Sequence, residues 1–269
     1  MNPWFSLMGA APALIAMAYV DRLDAKRPEP QALLRRVAIA GALSTVACVA
    51  VALPLMWIAP AAPHTYGHAL YESFIVAAGV EEAAKVLVVY WFVWHKPEFD
   101  ERLDGIVYAA RAGLGFALVE NVLYLFSVSD HGEFIVTFIL RALLAVPGHA
   151  IWAGIMGYFA AVRRFDGIGP GLIGGYLIAV FLHGSYDAAI FLGIPLRADG
   201  HHTIANLLML ALPAIIIGGG VALRRMAREA LAADDRDEAR AEARKHHPAS
   251  ASWWRIDQRA VAQIDRHQQ

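Results

Sequence analysis

The chain has 269 residues, 58% of them hydrophobic and only 17% charged, with a mean hydropathy of +0.46. Soluble domains run nearer about half apolar and about a quarter charged, so this composition argues against a water-soluble domain and for a polytopic membrane protein. A formal net charge of −1 gives no argument for nucleic acid, and a single cysteine, Cys48, rules out an intramolecular disulfide.

Seven candidate spans follow in chain order: 4–20, 37–59, 70–94, 105–128, 134–162, 170–194 and 204–223. About 20 residues at 1.5 Å each cross ~30 Å of hydrocarbon, and all but the first span meet that comfortably. The first, Trp4 to Val20, has a cleavage-like Ala16-Met17-Ala18. It lacks a basic n-region, and its charges Asp21, Arg22, Asp24, Lys26 and Arg27 follow it, so an uncleaved first helix is the expectation. The expected fold class is all-α, a polytopic transmembrane helix bundle.

Orientation follows from lysine and arginine. Arg22, Lys26, Arg27, Arg35, Arg36, Lys96, Arg102, Arg163, Arg164, Arg224, Arg225 and Arg228 fall on one set of connections, and only Arg197 on the other. The positive-inside rule then places the N-terminus outside and the C-terminus in the cytoplasm. Residues 1–223 read as one transmembrane domain and 224–269 as a charged cytoplasmic tail. The tail is expected to continue the last helix until HHPASAS breaks it, with Trp253, Trp254 and Arg255 in a solvated end.

The third span, LYESFIVAAGVEEAAKVLVVYWFVW, holds Glu72 at its entrance and Glu81, Glu82 and Lys85 in its middle. A charge at the bilayer centre costs on the order of 3 kcal/mol on insertion scales, so three together need partners. At i and i+4, Glu81 and Lys85 share a face, and they are expected to pair, turning Glu82 about 100° away toward a cavity. The fourth span contains Phe116, Glu120 and Asn121, with Gly113 and Gly115 among alanines that permit close helix approach. Arg111, about two turns from its cytoplasmic end, either snorkels outward or pairs with a carboxylate. The fifth span carries Pro147-Gly148-His149, where the proline is expected to kink the helix. In the sixth, His183 and Asp187 project from one face. His149 and His183 are the two of eleven histidines that lie deep in spans.

Counting from the outer end of each span puts Glu81 about 17 Å deep, Glu120 about 12 Å, His149 about 22 Å, His183 about 17 Å and Asp187 about 11 Å. Four helices thus place ionisable groups in one slab, which a shared buried site explains and isolated ion pairs do not. An anionic glutamate with a nearby histidine can deprotonate water and later return the proton to an amine leaving group. A histidine oriented by Asp187 can donate to a developing oxyanion. Alternatively, His149 and His183 with two carboxylates, Glu82 and Glu120, can hold Zn²⁺ and activate water on it. No HExxH occurs.

Glu81-Glu82-x-x-Lys85, Phe116-x-x-x-Glu120-Asn121, the glycine-preceded His149 and His183-x-x-x-Asp187 together resemble the four motifs of the PrsW family of bacterial intramembrane proteases. Asp104-Gly105 at the start of the fourth span fits the same pattern, and the resemblance covers roughly residues 70–190. That family shares a superfamily with the type II CAAX prenyl proteases and Abi proteins, whose first two motifs are typically EExxxR and FxxxH. The resemblance implies a multi-pass peptidase of the bacterial plasma membrane that cleaves membrane-anchored proteins, with anti-sigma factor site-1 cleavage as the namesake activity. By the same resemblance, Glu81 or Glu82 activates water with help from His149. His183 and Asp187 stabilise the oxyanion, and Glu120 fills the second-motif position. Both metal-dependent and glutamic mechanisms are compatible with it. Two other readings use the same residues: a proton-coupled transporter with a Glu/His relay, and a catalytically silent scaffold with polar interhelical contacts. A transporter predicts inverted repeats and paired broken helices; the sequence shows no internal repeat and a single clear break, at Pro147.

Overall fold

In the computed structural model, which describes residues 3–246, the chain is helical throughout with no strand among the described residues. Trp253, Trp254, Arg255, His247 and His267 lie outside the described residues. A 3₁₀ turn, Pro3–Gly9, leads into α1 (Ala10–Leu23), followed by α2 (Gln31–Trp57). The third span is one unbroken helix over 66–92, made of α3 (Tyr66–Tyr71), a π-helical stretch Glu72–Gly79 and α4 (Val80–Phe92). Then come α5 (Arg102–Ser127), α6 (His131–Leu140), a second π-helical stretch Arg141–Ala145, α7 (Val146–Asp166), α8 (Gly171–Phe191), α9 (Gly193–Ala198) and α10 (His202–His246).

Among the described residues, six helices are long and apolar enough to cross a membrane: Trp4–Leu23, Gln31–Trp57, Arg102–Ser127, His131–Asp166, Gly171–Ala198 and His202–Lys245. The helix over 66–92 is as long but carries Glu72, Glu81, Glu82 and Lys85. The chain divides into two compact units, Met1–Ala230 and Leu231–Gln269. In the described part of the second unit the helix continues to His246, with Arg240 and Asp237 paired on its exposed surface at 3.4 Å.

Local chemistry fixes the ends. The Thr65 hydroxyl accepts from the His68 amide at the start of α3, and Asp130 accepts from the Glu133 amide at the start of α6. Glu101 and Asp104 form a capping box on α5. Gly167, at φ 72°, takes the left-handed conformation that ends α7.

At the centre of the first unit stands α5. Of its apolar window 72% is buried inside the protein, against 17–39% for the other five candidate spans. Small residues make this possible. Antiparallel α7 approaches so closely that a Cβ on Gly113 would sit 2.5 Å from the His149 carbonyl oxygen, and one on Gly157 would collide with the Gly105 carbonyl. Parallel α2 crosses α5 where Gly41 meets the Ala112 carbonyl and Gly115 meets that of Ala38. The Thr45 hydroxyl donates to the Phe116 carbonyl at this crossing, at 3.3 Å. Arg111 does not snorkel; it pairs with Asp21 at 3.0 Å.

Pro147 lies in the first turn of α7, just after the second π-helical stretch. The helix therefore runs on from α6 into α7, and the widened turn takes up the backbone disturbance expected of a kink.

Candidate active site

Each polar group of the expected slab is carried by a helix that packs around α5 or α7. Glu81, Glu82 and Lys85 occupy the first two turns of α4, directly after the π-helical stretch Glu72–Gly79. That stretch is held by the Tyr176 hydroxyl, which donates to the Gly79 carbonyl at 3.0 Å, and by the Cys48 thiol on the Val80 carbonyl at 3.7 Å. Phe116, Glu120 and Asn121 come from α5, His149 from α7, and His183 and Asp187 from α8.

The structure brings these residues into one network. The Lys85 ammonium, fully buried, donates to Glu82 Oε1 at 2.6 Å and to His149 Nδ1 at 2.8 Å. Because an ammonium only donates, His149 Nδ1 is an acceptor and the ring proton sits on Nε2, which donates to Glu120 Oε2 at 2.8 Å. His183 Nδ1 lies 2.9 Å from Glu82 Oε1 and its Nε2 3.2 Å from Asp187 Oδ2, an arrangement that a ring donating from both nitrogens satisfies. Trp152 stacks on His183, ring centroids 4.2 Å apart and 15° from parallel, and fixes its plane. Phe116 lies under the Lys85 ammonium at 4.8 Å and beside the His149 ring at 5.4 Å.

Glu81 stands apart from this bonding. Its Oε2 is buried without a hydrogen-bond partner, 3.9 Å from Lys85 Nζ, 3.9 Å from His183 Nε2 and 4.0 Å from His149 Nδ1. The expected pairing of Lys85 with Glu81 is thus corrected: Lys85 holds Glu82, three residues away, and Glu81 faces the cavity. Both spacings put a carboxylate within reach of the lysine. His183 decides between them, because it gives Glu82 a second donor and fixes it at full burial, whereas the Glu81 side chain keeps 15% exposure.

One participant was not anticipated. Arg141, in the π-helical stretch before α7, donates from Nη2 to Glu120 Oε2 at 2.6 Å and from Nε to Asn121 Oδ1 at 2.7 Å. It was legible by the rule that flagged the glutamates, since it too is a charge inside an apolar run. Asn121 also donates to the Gly9 carbonyl at 3.3 Å, so it ties the N-terminal turn to α5 and stands behind Glu120.

Glu81, Phe116 and Glu120 line a cavity of about 370 Å³. Beyond the crossing of α2 and α5 the cavity is walled by Cys48 and Val49 on one side and Leu123 and Tyr124 on the other, and it extends to Glu72 and Ser127. Those two residues belong to the ends of their helices that the charge distribution assigns to the outside.

The ligand atoms that converge on one point are those of Glu81, His149 and His183, all within 4.8 Å of one another. Glu82 and Glu120, expected among the ligands, instead bond the far nitrogen of each histidine. Two histidines and a carboxylate, each ring oriented by a carboxylate behind it, is a donor set that suits zinc. The residues therefore fit a metal, provided the Lys85 ammonium withdraws from His149 Nδ1 to Glu82, to which it is already bonded, and His183 gives up the Nε2 proton it directs at Asp187.

A family model described as "PrsW family intramembrane metalloprotease" matches residues 29–217. Protease PrsW of Geobacillus kaustophilus (strain HTA426) is 37% identical over 189 residues, 68% of this chain and 79% of the relative. Protease PrsW of Clostridioides difficile (strain 630) is 33% identical over 185 residues, 67% of this chain and 76% of the relative. Protease PrsW of Bacillus subtilis (strain 168) is 32% identical over 184 residues, with 66% and 79% covered. No solved structure matches the chain. The matched stretch contains every residue of the buried network, from Glu81 to Asp187, and extends beyond it on both sides. The chain belongs to the PrsW family and is a multi-pass intramembrane protease.

Proposed function

We propose that the chain hydrolyses a peptide bond in a membrane-anchored protein, with Glu81 as the base that takes a proton from water. The observation that carries this reading is the Glu81 carboxylate, buried at the head of the cavity with Oε2 unpartnered and three nitrogens 3.9–4.0 Å away. A base must have a free lone pair and room for water; Glu82 Oε2 is also unpartnered, but Glu82 is fully buried and does not line the cavity, whereas Glu81 does.

The substrate segment enters between α2 and α5 from the Glu72–Ser127 end, so its scissile carbonyl lies against Glu81. Glu81 removes a proton from water as the oxygen bonds to the carbonyl carbon. His183, held by Glu82 at Nδ1 and by the stacked Trp152, turns its Nε2 proton from Asp187 to the oxyanion. When the C–N bond breaks, protonated Glu81 gives its proton to the departing amine, and it is again a carboxylate. Lys85 keeps Glu82 and His149 in place throughout, and Arg141 and Glu120 orient His149. A bound metal would be held by Glu81, His149 and His183 and would supply a water of lowered pKa.

The substrate class we favour is a single-span anti-sigma factor in a bacterial plasma membrane, cut on the outer side. Support comes from the motif resemblance and from a cavity that runs toward the end of the bundle poor in lysine and arginine. The C-terminal tail then lies in the cytoplasm. The test is Glu81→Gln in cells carrying a tagged single-span substrate. Cleavage is expected to vanish while the protein accumulates normally in the membrane, and undiminished cleavage refutes the assignment.

A further inference from the structure

About 24 Å along α5 from Glu120, at 1.5 Å per residue, Asp104 occupies the first turn of the helix. There it meets Asp24, at the end of α1, and Glu29, just before α2: one carboxylate oxygen from each lies within 4.8 Å of the other two. All three side chains are buried.

Acidic residues cluster on many surfaces without consequence, but this cluster has a second property. Asp24 is only 2% exposed, and neither of its carboxylate oxygens has a hydrogen-bond partner. Asp104 is similar on one side: Oδ2 accepts the amides of Asp100 and Glu101 at 3.0 and 2.7 Å, and Oδ1 is unpartnered. Tyr108 donates its hydroxyl to Glu29. Arg27, the guanidinium nearest in sequence, is bonded to Glu101 at 2.6 Å. Buried carboxylate oxygens aimed at one another repel unless a shared proton or a positive charge lies between them.

The donor set names the chemistry. Every ligand atom is oxygen, with no imidazole or thiolate, which selects hard cations over zinc or copper. A spread of up to 4.8 Å matches oxygens on opposite sides of an ion with metal–oxygen distances of about 2.3–2.6 Å, and water completes such shells readily. We infer that Asp24, Glu29 and Asp104 form a binding site for a hard divalent cation, Mg²⁺ or Ca²⁺, that ties the α1–α2 connection to the start of α5. This site is separate from the proteolytic one. It secures the end of α5 at which Gly105 packs against Gly157, where neither position has room for a Cβ.

The experiment is thermal unfolding of the full chain in detergent, stripped with EDTA and then titrated with Mg²⁺ or Ca²⁺. A saturable rise of several degrees is expected in the wild type and in Glu81→Gln, and no rise in Asp24→Asn. The inference is overturned if neither ion moves the wild type at millimolar concentration, since protons shared among the carboxyls then do the work. It is equally overturned if Asp24→Asn keeps the full rise, or if Glu81→Gln loses it, which assigns the ion to the proteolytic cluster. Should Asp24→Asn fail to fold, Tb³⁺ luminescence sensitised by Tyr108 in the wild type decides. Emission displaced by Ca²⁺ supports the site, and absent emission refutes it.

Discussion

Replacing Lys85 by methionine tests whether the buried network is held together as its geometry indicates. The substitution keeps the length and apolar stem of the side chain and removes one ammonium, whose Nζ lies 2.6 Å from Glu82 and 3.9 Å from Glu81. At an effective dielectric of about 20, those separations correspond to a gross attraction of ~6 and ~4 kcal/mol. Desolvation of the fully buried ammonium and of Glu82 offsets most of that, so the pair is a small net contributor. Removing one partner is different, because it strands the other charge, and ~3–5 kcal/mol of destabilisation is expected. The double variant Lys85→Met with Glu82→Gln removes both charges. It should be less destabilised than the sum of the singles by roughly 2–3 kcal/mol, within the range of coupling between contacting residues. Reversible unfolding in mixed micelles, followed by tryptophan fluorescence, measures all four proteins of the cycle. Proteolysis should be lost in both singles and in the double, because each loosens His149 or His183. Singles within about 0.5 kcal/mol of the wild type, or additive effects in the double, would refute the reasoning.

Among the described residues, Arg141→Met leaves Glu120 bonded to His149 alone, and turnover should fall about 10–100-fold, as when a carboxylate behind a functional histidine is disturbed. Arg141→Lys should recover part of the rate, and an undiminished rate in Arg141→Met would contradict the positioning role. Cys48 lines the cavity, so a membrane-permeant thiol reagent that adds bulk there should block substrate entry and inhibit the wild type. Cys48→Ala should remain active and resist the reagent; a wild type fully labelled at Cys48 yet uninhibited would show that the groove between α2 and α5 is not the path.

The helices and their rough limits were legible because apolar length alone determines them, and the cluster was legible because charge in a membrane demands partners. Depth counting along four helices anticipated groups that each lie within 4.0 Å of at least one other. Which glutamate holds Lys85 was not legible: the i+3 and i+4 spacings both reach, and the choice rests on His183, a residue of another helix. Arg141 was legible by cost, as a charge inside an apolar run, but its partners, Glu120 and Asn121, lie on another helix. The π-helical stretches have no residue signature, since ESFIVAAG and RALLA read as ordinary helix. The meeting of Asp24, Glu29 and Asp104 is tertiary, made by a connection whose path no local pattern encodes.

The two π-helical stretches have a consequence for how this protein can be broken. A widened turn adds roughly one residue without ending the helix, which rotates everything after it by about 100° relative to a plain α-helix. It occurs just ahead of Glu81 and Glu82, and again just ahead of His149. Deleting a single alanine from either stretch would let the turn relax to ordinary α-geometry and shorten nothing else. The lost residue and the lost widening offset each other, so the two halves of that helix would keep facing as they do. A change that closes the widened turn without removing a residue would instead swing Glu81 and Glu82, or His149, by about 100° and inactivate the protein with every reactive side chain still present.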